Sequence, residues 1–242
     1  MDIIFELKNV SYSYIKSIPA LIDISFNVNK GEKLIILGAN GSGKSTLLKL
    51  MDGLMKPDSG HIQAFGRSIL NMKNDEEYEF RRKVGYLFQD SDVQLFNTSV
   101  FDEVAFAPLQ MGLEIKDVKS MVDKTLESFG LEKLRDRPPH RLSGGEKKKV
   151  ALASIMVTNP DVLLLDEPTN GLDPRSRKWL INELSNLSNK GKTLVISTHD
   201  LDLARSLADR IVIINESHTI ETVGTPDKIL DNVKLLESVN LI

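Results

Sequence analysis

The feature that most constrains the fold is a glycine-rich loop between an apolar strand and a helical segment. The loop follows Leu34–Leu37 and reads Gly38-Ala39-Asn40-Gly41-Ser42-Gly43-Lys44-Ser45-Thr46. This spacing of glycines, lysine and serine is that of a P-loop, which occurs where a buried strand ends and a helix begins. The sequence therefore predicts a strand, a phosphate-binding turn and a helix over Thr46–Met55 in direct succession.

The side chains of this loop predict a nucleotide–magnesium site. Glycines let the backbone curl until its N–H groups point at a β-phosphate, helped by the positive end of the following helix. Lys44 supplies a charge to the β- and γ-phosphates, and the Ser45 hydroxyl is placed to bind Mg²⁺. The predicted nucleotide-binding residues of the loop are Gly38, Asn40, Gly41, Ser42, Gly43, Lys44, Ser45 and Thr46. The alternative is a glycine turn without a ligand, which the combination of strand, spacing, lysine and serine disfavours.

A second apolar strand ends in two adjacent carboxylates. Val162–Leu165 is followed by Asp166 and Glu167, and Pro168 prevents the strand from continuing. Neighbouring side chains on a strand point in different directions, so one acid can serve a metal and the other an attacking water. We therefore expect Asp166 to hold Mg²⁺ through water and Glu167 to activate the water. Adjacent acids in a loop are usually only solvated surface, an alternative that the preceding apolar run disfavours.

The remaining pattern predicts an α/β protein. We expect a P-loop NTPase core with a mostly parallel sheet and flanking helices, an N-terminal antiparallel β subdomain and an inserted α-helical subdomain. In the first strand, one face is predicted to carry Ile4, Glu6, Lys8 and Val10, and the other Phe5, Leu7 and Asn9. Later strands are expected at Ile22–Asn29, Lys33–Leu37, Val84–Phe88, Val162–Leu165, Thr193–Ser197 and Arg210–Ile214.

We interpret residues 1–242 as a single domain. Its approximate catalytic core is 1–97 and 140–225, with a helical subdomain at 98–139 and a C-terminal helical tail at 226–242. The helical subdomain is inferred from apolar positions at helical spacing, namely Val118, Met121, Val122, Thr125, Leu126 and Phe129. Gly130 is a plausible helix end, and Pro138-Pro139 a rigid return to the core.

Composition excludes several classes of function. The formal net charge is −3 and the pI is near 5.9, which argues against a general nucleic-acid binder. The chain has no cysteine, so disulfides and thiolate metal sites are excluded and a reducing cytoplasm is expected. We predict neither a signal peptide at Met1–Leu7 nor an apolar window of ~20 residues that spans a bilayer. Any membrane role is therefore expected to depend on a partner.

The segment that decides the class of P-loop protein is Leu142-Ser143-Gly144-Gly145-Glu146, which precedes a helical stretch and the Asp166-Glu167 strand. A serine and two glycines at a helix N-terminus make an anion site. A chain that already holds phosphates at Lys44 does not need a second such cradle in the same site. With this segment the sequence resembles the ABC ATPase family, whose signature is LSGGQ or LSGGE. The resemblance extends from Val10 to about Thr225.

The resemblance implies a head-to-tail dimer that sandwiches ATP and Mg²⁺ between its chains. In each site, one chain would contribute Lys44, Ser45, Asp166, Glu167 and His199. The signature segment Leu142–Glu146 of the other chain would close on the γ-phosphate, chiefly through Ser143 and Gly145. Glu146 stands where the signature often has glutamine, and it keeps hydrogen-bonding capacity.

The resemblance also gives roles to residues outside these motifs. Tyr14 resembles the aromatic on which adenine stacks, and His199 resembles the switch histidine that holds the γ-phosphate. Gln89 resembles the glutamine that senses Mg²⁺ and links the core to the helical subdomain. Asn170-Gly171-Leu172-Asp173 resembles the D-loop, with asparagine where serine is common.

A longer segment narrows the resemblance within the family. Residues 89–108 match, almost position by position, the pattern of cobalt-importer and energy-coupling-factor ATPases. In that subfamily, a pair of ATPase subunits drives an integral-membrane coupling protein that serves substrate-binding membrane proteins. The resemblance implies a dimer with itself or with a paralogous ATPase subunit on the cytoplasmic face of the cell membrane. The imported substrate would be cobalt, nickel or a vitamin.

The same segment predicts a docking groove for a helix of the membrane partner. Its apolar floor is expected to consist of Val93, Leu95, Phe96 and Phe101. The acids expected to meet arginines of the partner are Asp90, Asp92, Asp102 and Glu103. The alternative is a core turn with exposed acids.

Other functions remain open at this stage. One is a non-transport ABC ATPase that acts on DNA or ribosomes, although such chains usually carry a long coiled coil or a second ATPase. Another is a P-loop kinase of small molecules, which would leave Leu142–Glu146 unexplained.

Overall fold

The computed structural model describes residues 2–16 and 18–242. The strands in this part of the chain are β1 Ile3–Ile15, β2 Ile18–Asn29, β3 Lys33–Leu37, β4 Ser59–Ala64, β5 Arg67–Ser68, β6 Val84–Leu87, β7 Val162–Asp166, β8 Thr193–Thr198, β9 Arg210–Ile214 and β10 Ile220–Gly224. They form a four-stranded sheet in the order β2-β1-β4-β5 and a six-stranded sheet in the order β10-β9-β3-β8-β7-β6.

The six-stranded sheet confirms the predicted α/β core. Strands β6, β7, β8, β3 and β9 run parallel, and β10 pairs antiparallel with β9. A parallel sheet that is buried on both faces needs apolar side chains at successive positions, and Leu34–Leu37 and Val162–Leu165 are all 0% exposed. The carboxyl ends of β3, β7 and β8 meet at one edge, where Gly38, Glu167 and His199 follow them directly.

The four-stranded sheet is antiparallel, as predicted, but the predicted faces of β1 are wrong beyond Leu7. Leu7 and Val10 are both buried, although simple alternation places them on opposite faces. Asn9 between them has a φ of 50°, and the register of β1 against β2 shifts there. The Asn9 N–H donates to Ser25 Oγ at 2.8 Å, and its Nδ2 donates to Asp23 Oδ1 at 2.7 Å. This bulge shifts the alternation of side chains by one residue.

The helices are α1 Lys44–Met51, α2 Asn74–Lys83, α3 Ser91–Gln94, α4 Val100–Gln110, α5 Ile115–Phe129, α6 Gly144–Met156, α7 Pro174–Asn189, α8 Leu201–Leu207, α9 Pro226–Leu230 and α10 Val233–Ser238. The first of them begins and ends earlier than Thr46–Met55. It ends because Gly53 has a φ of 72°, the left-handed conformation that commonly closes a helix. The elements β4, β5 and α2 were not predicted from the sequence, because they are short and turns separate one from the next.

The segment between β6 and β7 is helical. Helix α5 buries Val118, Val122, Leu126 and Phe129, and Gly130 ends it with a φ of 64°. These side chains join one apolar cluster with the buried face of the six-stranded sheet. The division into a core of 1–97 and 140–225 and a helical subdomain of 98–139 therefore stays a prediction, since a shared core crosses it.

The last described elements pack back onto the sheet. Strand β10 pairs with β9, α9 begins at Pro226, and α10 follows it. Arg205 of α8 donates to the Leu230 carbonyl at 3.3 Å and to Asp231 Oδ1 at 2.8 Å, which holds α9 in place. Among the described residues, no helix combines the length and the apolar character that crossing a membrane requires.

Asp52, just after α1, is a buried acid that ties α1 to α2. It is 4% exposed, and its Oδ2 accepts a hydrogen bond from Arg81 Nη1 at 2.7 Å. The same nitrogen donates to the Asp52 carbonyl at 2.8 Å. Burial raises the pKa of the Asp52 carboxyl to about 6, and the attraction of Arg81 opposes that rise.

This raised pKa predicts a pH dependence of stability. Because the folded protein binds the Asp52 proton more tightly than the unfolded chain does, this contribution to the free energy of unfolding should fall as the pH rises from 3.8 through about 6. The difference is on the order of 3 kcal/mol. Urea unfolding at pH values on both sides of this range measures the change in the free energy of unfolding. Asp52→Asn should lose this part of the slope of that free energy against pH. Asp75→Asn, at an exposed position of α2, is the control and should keep it. An unchanged slope in Asp52→Asn would contradict the assignment.

Candidate active site

A cleft of about 660 Å³ opens at the edge of the sheet where β3, β7 and β8 end. The predicted residues that line it are Tyr14, Asn40, Gly41, Gly43, Lys44, Ser45, Thr46, Gln89, Glu167, Asn170 and His199. Ser42 and Asp166 are buried next to these residues, at 2% and 3% exposure. Parts of the chain that are far apart in sequence thus meet in one place.

The backbone of the loop after β3 depends on its glycines. Gly43 has a φ of 107°, and a Cβ there would lie 2.2 Å from the Ala20 carbonyl oxygen. A Cβ on Gly38 would lie 2.5 Å from the Ile214 carbonyl oxygen and from Ser42 Oγ. Both distances are too short for any side chain, so the loop can curl into this position only with glycine.

Lys44 is the central cation of the cleft and is 6% exposed. Its Nζ donates to the Gly38 carbonyl at 2.8 Å and to the Ala39 carbonyl at 3.0 Å. Glu167 Oε1 lies 3.6 Å from the same nitrogen. Burial lowers the pKa of the Lys44 ammonium, while the charges of Glu167 and Asp166 oppose that shift.

Asp166 is held by hydroxyl groups from three directions. Its Oδ1 accepts from Ser45 Oγ at 2.9 Å and from Ser197 Oγ at 2.5 Å. Its Oδ2 accepts from the Tyr86 hydroxyl at 3.4 Å. Burial, together with the charge of Asp166, raises the pKa of Tyr86, so the phenol remains a donor. The carboxylate is therefore held in a fixed orientation beside Ser45, which lines the cleft.

Glu167 is 5% exposed and each of its carboxylate oxygens has a partner. Oε1 lies 2.9 Å from His199 Nδ1, and Oε2 accepts from Thr198 Oγ1 at 3.1 Å. The Glu167 backbone has a φ of 41°, which is strained for a residue with a side chain. Its N–H donates to the Ser197 carbonyl at 3.0 Å, and this bond helps to hold the strained conformation.

Two further predicted residues reach the cleft from outside the sheet edge. Tyr14 is 59% exposed, and its hydroxyl forms a 3.0 Å hydrogen bond with Thr46 Oγ1. Tyr12 packs edge-on against the Tyr14 ring at 5.2 Å, so the ring is held in place and remains accessible for stacking. Gln89, two residues after the end of β6, also lines the cleft.

The signature segment does not line this cleft. Ser143 precedes α6 and accepts a hydrogen bond from the Glu146 N–H at 3.4 Å. The Glu146 carboxylate accepts from the Ser143 N–H and hydroxyl, both at 2.8 Å. These hydrogen bonds from Ser143 lower the pKa of the Glu146 carboxyl. The turn Leu142–Glu146 is therefore a preformed capping box, exposed at Ser143 and Gly144.

Gly145 brings the signature segment next to the predicted D-loop. A Cβ on Gly145 would lie 2.1 Å from Ser176 Oγ and 3.6 Å from Asp173 Oδ2. Asp173 caps α7, accepting from the Arg175 and Ser176 N–H groups at 2.9 and 3.1 Å. A Cβ on Gly144, by contrast, would meet no heavy atom of the described chain within 4 Å.

The predicted docking groove is wrong in part. Leu95 is 8% exposed and belongs to the core, and Phe101 is only partly exposed. Glu103 is 3% exposed, because its Oε2 accepts from the N–H groups of Phe96 at 2.9 Å and Asn97 at 2.8 Å. Glu103 therefore fixes the preceding loop and is not available to a partner.

The other acids of this segment differ in availability. Asp92 Oδ1 lies 2.5 Å from Lys147 Nζ. Asp102 accepts from the Ser99 hydroxyl at 2.6 Å, and this hydrogen bond contributes most to lowering the pKa of Asp102. Asp90 is exposed and caps α3, with one carboxylate oxygen accepting from the Asp92 N–H at 2.8 Å, but it forms no ion pair within the part of the chain that the structure describes. Asp90 is thus the acid most available to a partner.

The cleft fits a phosphate chain and a magnesium ion. Gly43 has no side chain with which to cap the first turn of α1, so the N–H groups of that turn remain for phosphate oxygens beside Lys44. Ser45 and Asp166 offer oxygen ligands, the type that Mg²⁺ prefers. The described residues contain no cluster of three or more His, Cys, Asp or Glu suited to a metal.

Comparison with known proteins decides the family. The sequence model described as "ABC transporter" matches residues 21–170. The chain belongs to the ABC transporter family. It is an ABC ATPase, an enzyme that binds ATP with Mg²⁺ and hydrolyses it.

Two relatives and one solved structure show how far this likeness extends. The ABC ATPase is 67% identical over 242 residues to a protein of Caldanaerobacter subterraneus subsp. tengcongensis described as an ABC transporter ATP-binding protein, with 100% of both covered. It is 45% identical to the nickel import ATP-binding protein of Rhodobacter capsulatus, with 98% of this chain and 95% of that protein covered. CbiO1 of Clostridium perfringens, described as part of the ABC transporter complex cbiONQ, is 36% identical. Its structure matches with a TM-score of 0.84 over 100% of this chain and 96% of the other.

Several residues of the site were not predicted from the sequence. Ser197 and Thr198 hold Asp166 and Glu167, and their signal was their position directly before His199 at the end of an apolar strand. Tyr86 holds Asp166 from β6. His218 lines the cleft with its Nδ1 3.2 Å from the Ser42 carbonyl oxygen, and no motif in the sequence indicates it.

Lys44→Ala should reduce ATP affinity by at least roughly a hundredfold, because charge-assisted hydrogen bonds contribute ~1.5–3 kcal/mol each. Lys49→Ala, on the same helix but outside the cleft lining, is the matched control and should bind ATP normally. Calorimetric titration of both folded proteins measures the difference. Normal affinity in Lys44→Ala would contradict the phosphate site.

Proposed function

We propose that this chain is the ATP-hydrolysing subunit of an importer of the energy-coupling-factor type, working as a dimer on the cytoplasmic face of the cell membrane. The observation that carries the proposal is the separation of two anion-binding elements. Lys44, Glu167 and His199 meet in the cleft, whereas the Ser143–Glu146 turn lies outside its lining. An exposed anion-binding turn that the chain's own cleft does not use is available to a second chain.

In the proposed reaction, Glu167 accepts the proton of the water that attacks the γ-phosphorus. Its oxygens are already held by His199 at 2.9 Å and Thr198 at 3.1 Å, so the carboxylate is oriented before the reaction. Lys44 neutralises charge on the phosphate oxygens as the bond between the γ-phosphorus and the bridging oxygen breaks and ADP leaves with that electron pair. Mg²⁺ held beside Ser45 and Asp166 would stabilise the same charge. His199 is half exposed at 48% and can therefore also reach the γ-phosphate.

The second chain would complete the site with its signature turn. Ser143 and Gly144 are exposed, and the capping box keeps the turn in one conformation. Asp173 lies next to Gly145 in the same chain, so the signature segment and the D-loop would approach the partner together. Both subunits of a homodimer have every element needed, and a paralogous ATPase subunit is the other candidate partner.

An exposed apolar patch supports a membrane partner. Val93 and Phe96 are 72% and 64% exposed, and Phe96 packs edge-on against Phe106 at 5.0 Å. Exposed side chains of this size that lie close together commonly mark a binding surface. Asp90 beside them would receive a basic group of an integral-membrane coupling subunit, which in turn serves a substrate-binding membrane protein.

The likeness to a nickel import ATP-binding protein and to a component of the cbiONQ complex supports a metal ion, cobalt or nickel, as substrate. A vitamin is the other candidate, since the resemblance of residues 89–108 covers both. These relatives disfavour the alternative of an ABC ATPase that acts on DNA or ribosomes. A net charge of −3 also disfavours nucleic acid as a partner.

A variant of the proposed base Glu167 and a variant of Ser143 in the signature turn should lose different steps of the reaction cycle. Glu167→Gln keeps shape and hydrogen bonding but cannot accept the proton, so hydrolysis should fall ~10²–10⁴-fold. ATP binding should survive, and the closed dimer should accumulate. Ser143→Arg places a bulky cation in the interface, so the monomer should bind ATP without closing. Size-exclusion chromatography with Mg²⁺–ATP separates the two outcomes.

Ser143→Ala is the matched control for the second variant. It loses the same helix cap, worth ~1 kcal/mol, without adding bulk, so it should still dimerise. Monomers for both Glu167→Gln and Ser143→Arg, each with ATP bound, would refute the shared site. ATPase activity that appears only with a paralogous subunit would refute the homodimer and leave the dimer site intact.

Val93→Asp should reduce co-purification with the membrane partner, because it places a charge in the exposed apolar patch. Val233→Asp is the control, because Val233 is also an exposed valine, at 56%, but lies on α10. Affinity purification from detergent-solubilised membranes, followed by mass spectrometry, measures the recovered membrane protein. Equal recovery with both variants would contradict the docking surface, and recovery of no integral-membrane protein by the wild type would contradict the transport function.

A further inference from the structure

Lys148 is a buried cation that the proposed reaction does not use. It lies on α6 and is 3% exposed. Its Nζ donates to the Gln89 carbonyl at 2.9 Å and to the Phe88 carbonyl at 3.4 Å. An ammonium removed from water is costly unless it is well paired, and an apolar side chain of the same length fills such a space at less cost. The two hydrogen bonds to carbonyl oxygens therefore explain why a lysine occupies this buried position better than the filling of space does.

Gln94 makes a second connection between the same elements. Its Oε1 accepts from the Phe88 N–H at 3.1 Å, and its Nε2 donates to the Ala151 carbonyl at 3.2 Å. Lys148 and Ala151 are three positions apart on α6 and therefore lie on one face of the helix. The chain just after β6, at Phe88 and Gln89, is thus attached to α6 at two neighbouring turns.

The helix that holds this segment is the one that begins at the signature turn. Ser143 is the N-cap of α6, and Lys148 lies five residues later, about 7.5 Å along the axis at 1.5 Å per residue. Gln89 lines the cleft that contains Lys44. Helix α6 therefore connects the main chain of Gln89, a cleft residue, to the Ser143–Glu146 turn, which is proposed to complete the partner's site.

We propose that Lys148 is a positioning residue. It holds the Gln89 main chain so that the Gln89 side chain reaches the Mg²⁺ of the nucleotide in its own cleft. Because the same side chain belongs to α6, any displacement of Gln89 also moves the Ser143–Glu146 turn. This role rests on the proposed function, since it requires Gln89 to act at Mg²⁺–ATP.

Lys148→Met tests the role, because methionine keeps the buried length and removes the donors. The Mg²⁺ concentration for half-maximal ATPase activity should rise about tenfold, the usual effect of removing a group that orients a metal ligand. The Mg²⁺ dependence of thermal stabilisation by ATP should shift in the same direction. The KM for ATP at saturating Mg²⁺ should stay near the wild-type value, since the loop around Lys44 is unchanged.

Three further variants separate positioning from stability. Lys148→Arg keeps the donors and should recover much of the Mg²⁺ response. Gln94→Met removes the second connection and should shift the Mg²⁺ dependence in the same direction as Lys148→Met, even if Lys148→Met folds poorly. Lys147→Met loses only the exposed ion pair to Asp92 and should behave like the wild type.

The decisive measurement is a double-mutant cycle with Gln89→Ala. If Lys148 acts through Gln89, Lys148→Met should change the Mg²⁺ dependence little in the Gln89→Ala background. Additive effects, or a lowered melting temperature with an unchanged Mg²⁺ dependence, would overturn the positioning role alone. A wild-type protein whose stabilisation by ATP does not depend on Mg²⁺ would overturn the proposed function and the positioning role together.

Discussion

The site depends on one buried ammonium, that of Lys44, and on the groups that turn toward it. The carbonyls of Gly38 and Ala39 and the carboxylate of Glu167 converge on Nζ, at 2.8, 3.0 and 3.6 Å. Without the cation, these oxygens would face one another inside the protein with no donor between them, which is costly. An anion that binds Lys44 therefore exchanges one set of partners for another, and Glu167 keeps His199 and Thr198 after the exchange.

The parts of this site that the sequence itself could predict lie at the end of an apolar strand or in the loop that follows it. Lys44 and Glu167 come after short runs of buried residues, and the parallel sheet brings such strand ends to one edge. The bulge at Asn9 could not be predicted, because it depends on Ser25 and Asp23, which are distant in sequence. Glu103 was expected at the surface because the sequence does not show the N–H donors that surround its carboxylate. These donors come together only in the folded loop.

The two signature glycines illustrate how one motif can satisfy two different requirements. Gly145 needs to lack a side chain because Ser176 of the same chain occupies that space, at 2.1 Å from a Cβ. Gly144 has open space instead, so its small size leaves room for something from outside the chain. The sequence pattern treats the two positions alike. Gly145 thus permits the packing of α6 on α7, whereas Gly144 would permit the close approach of a second chain in the proposed dimer.

In the proposed dimer, the capping box would determine which hydrogen bond a second chain has to displace at this turn. The Ser143 hydroxyl donates to Glu146 at 2.8 Å, and the Ser143 N–H donates to the same oxygen. A hydroxyl has one proton to donate, so a phosphate that takes it must replace Glu146 as its acceptor. One charge-assisted hydrogen bond is then exchanged for another, which makes the net gain from this contact small. In the proposed dimer, most of the binding energy would therefore come from the remaining contacts, including the Gly144 and Gly145 N–H groups in the first turn of α6, since the Glu146 N–H already donates to Ser143.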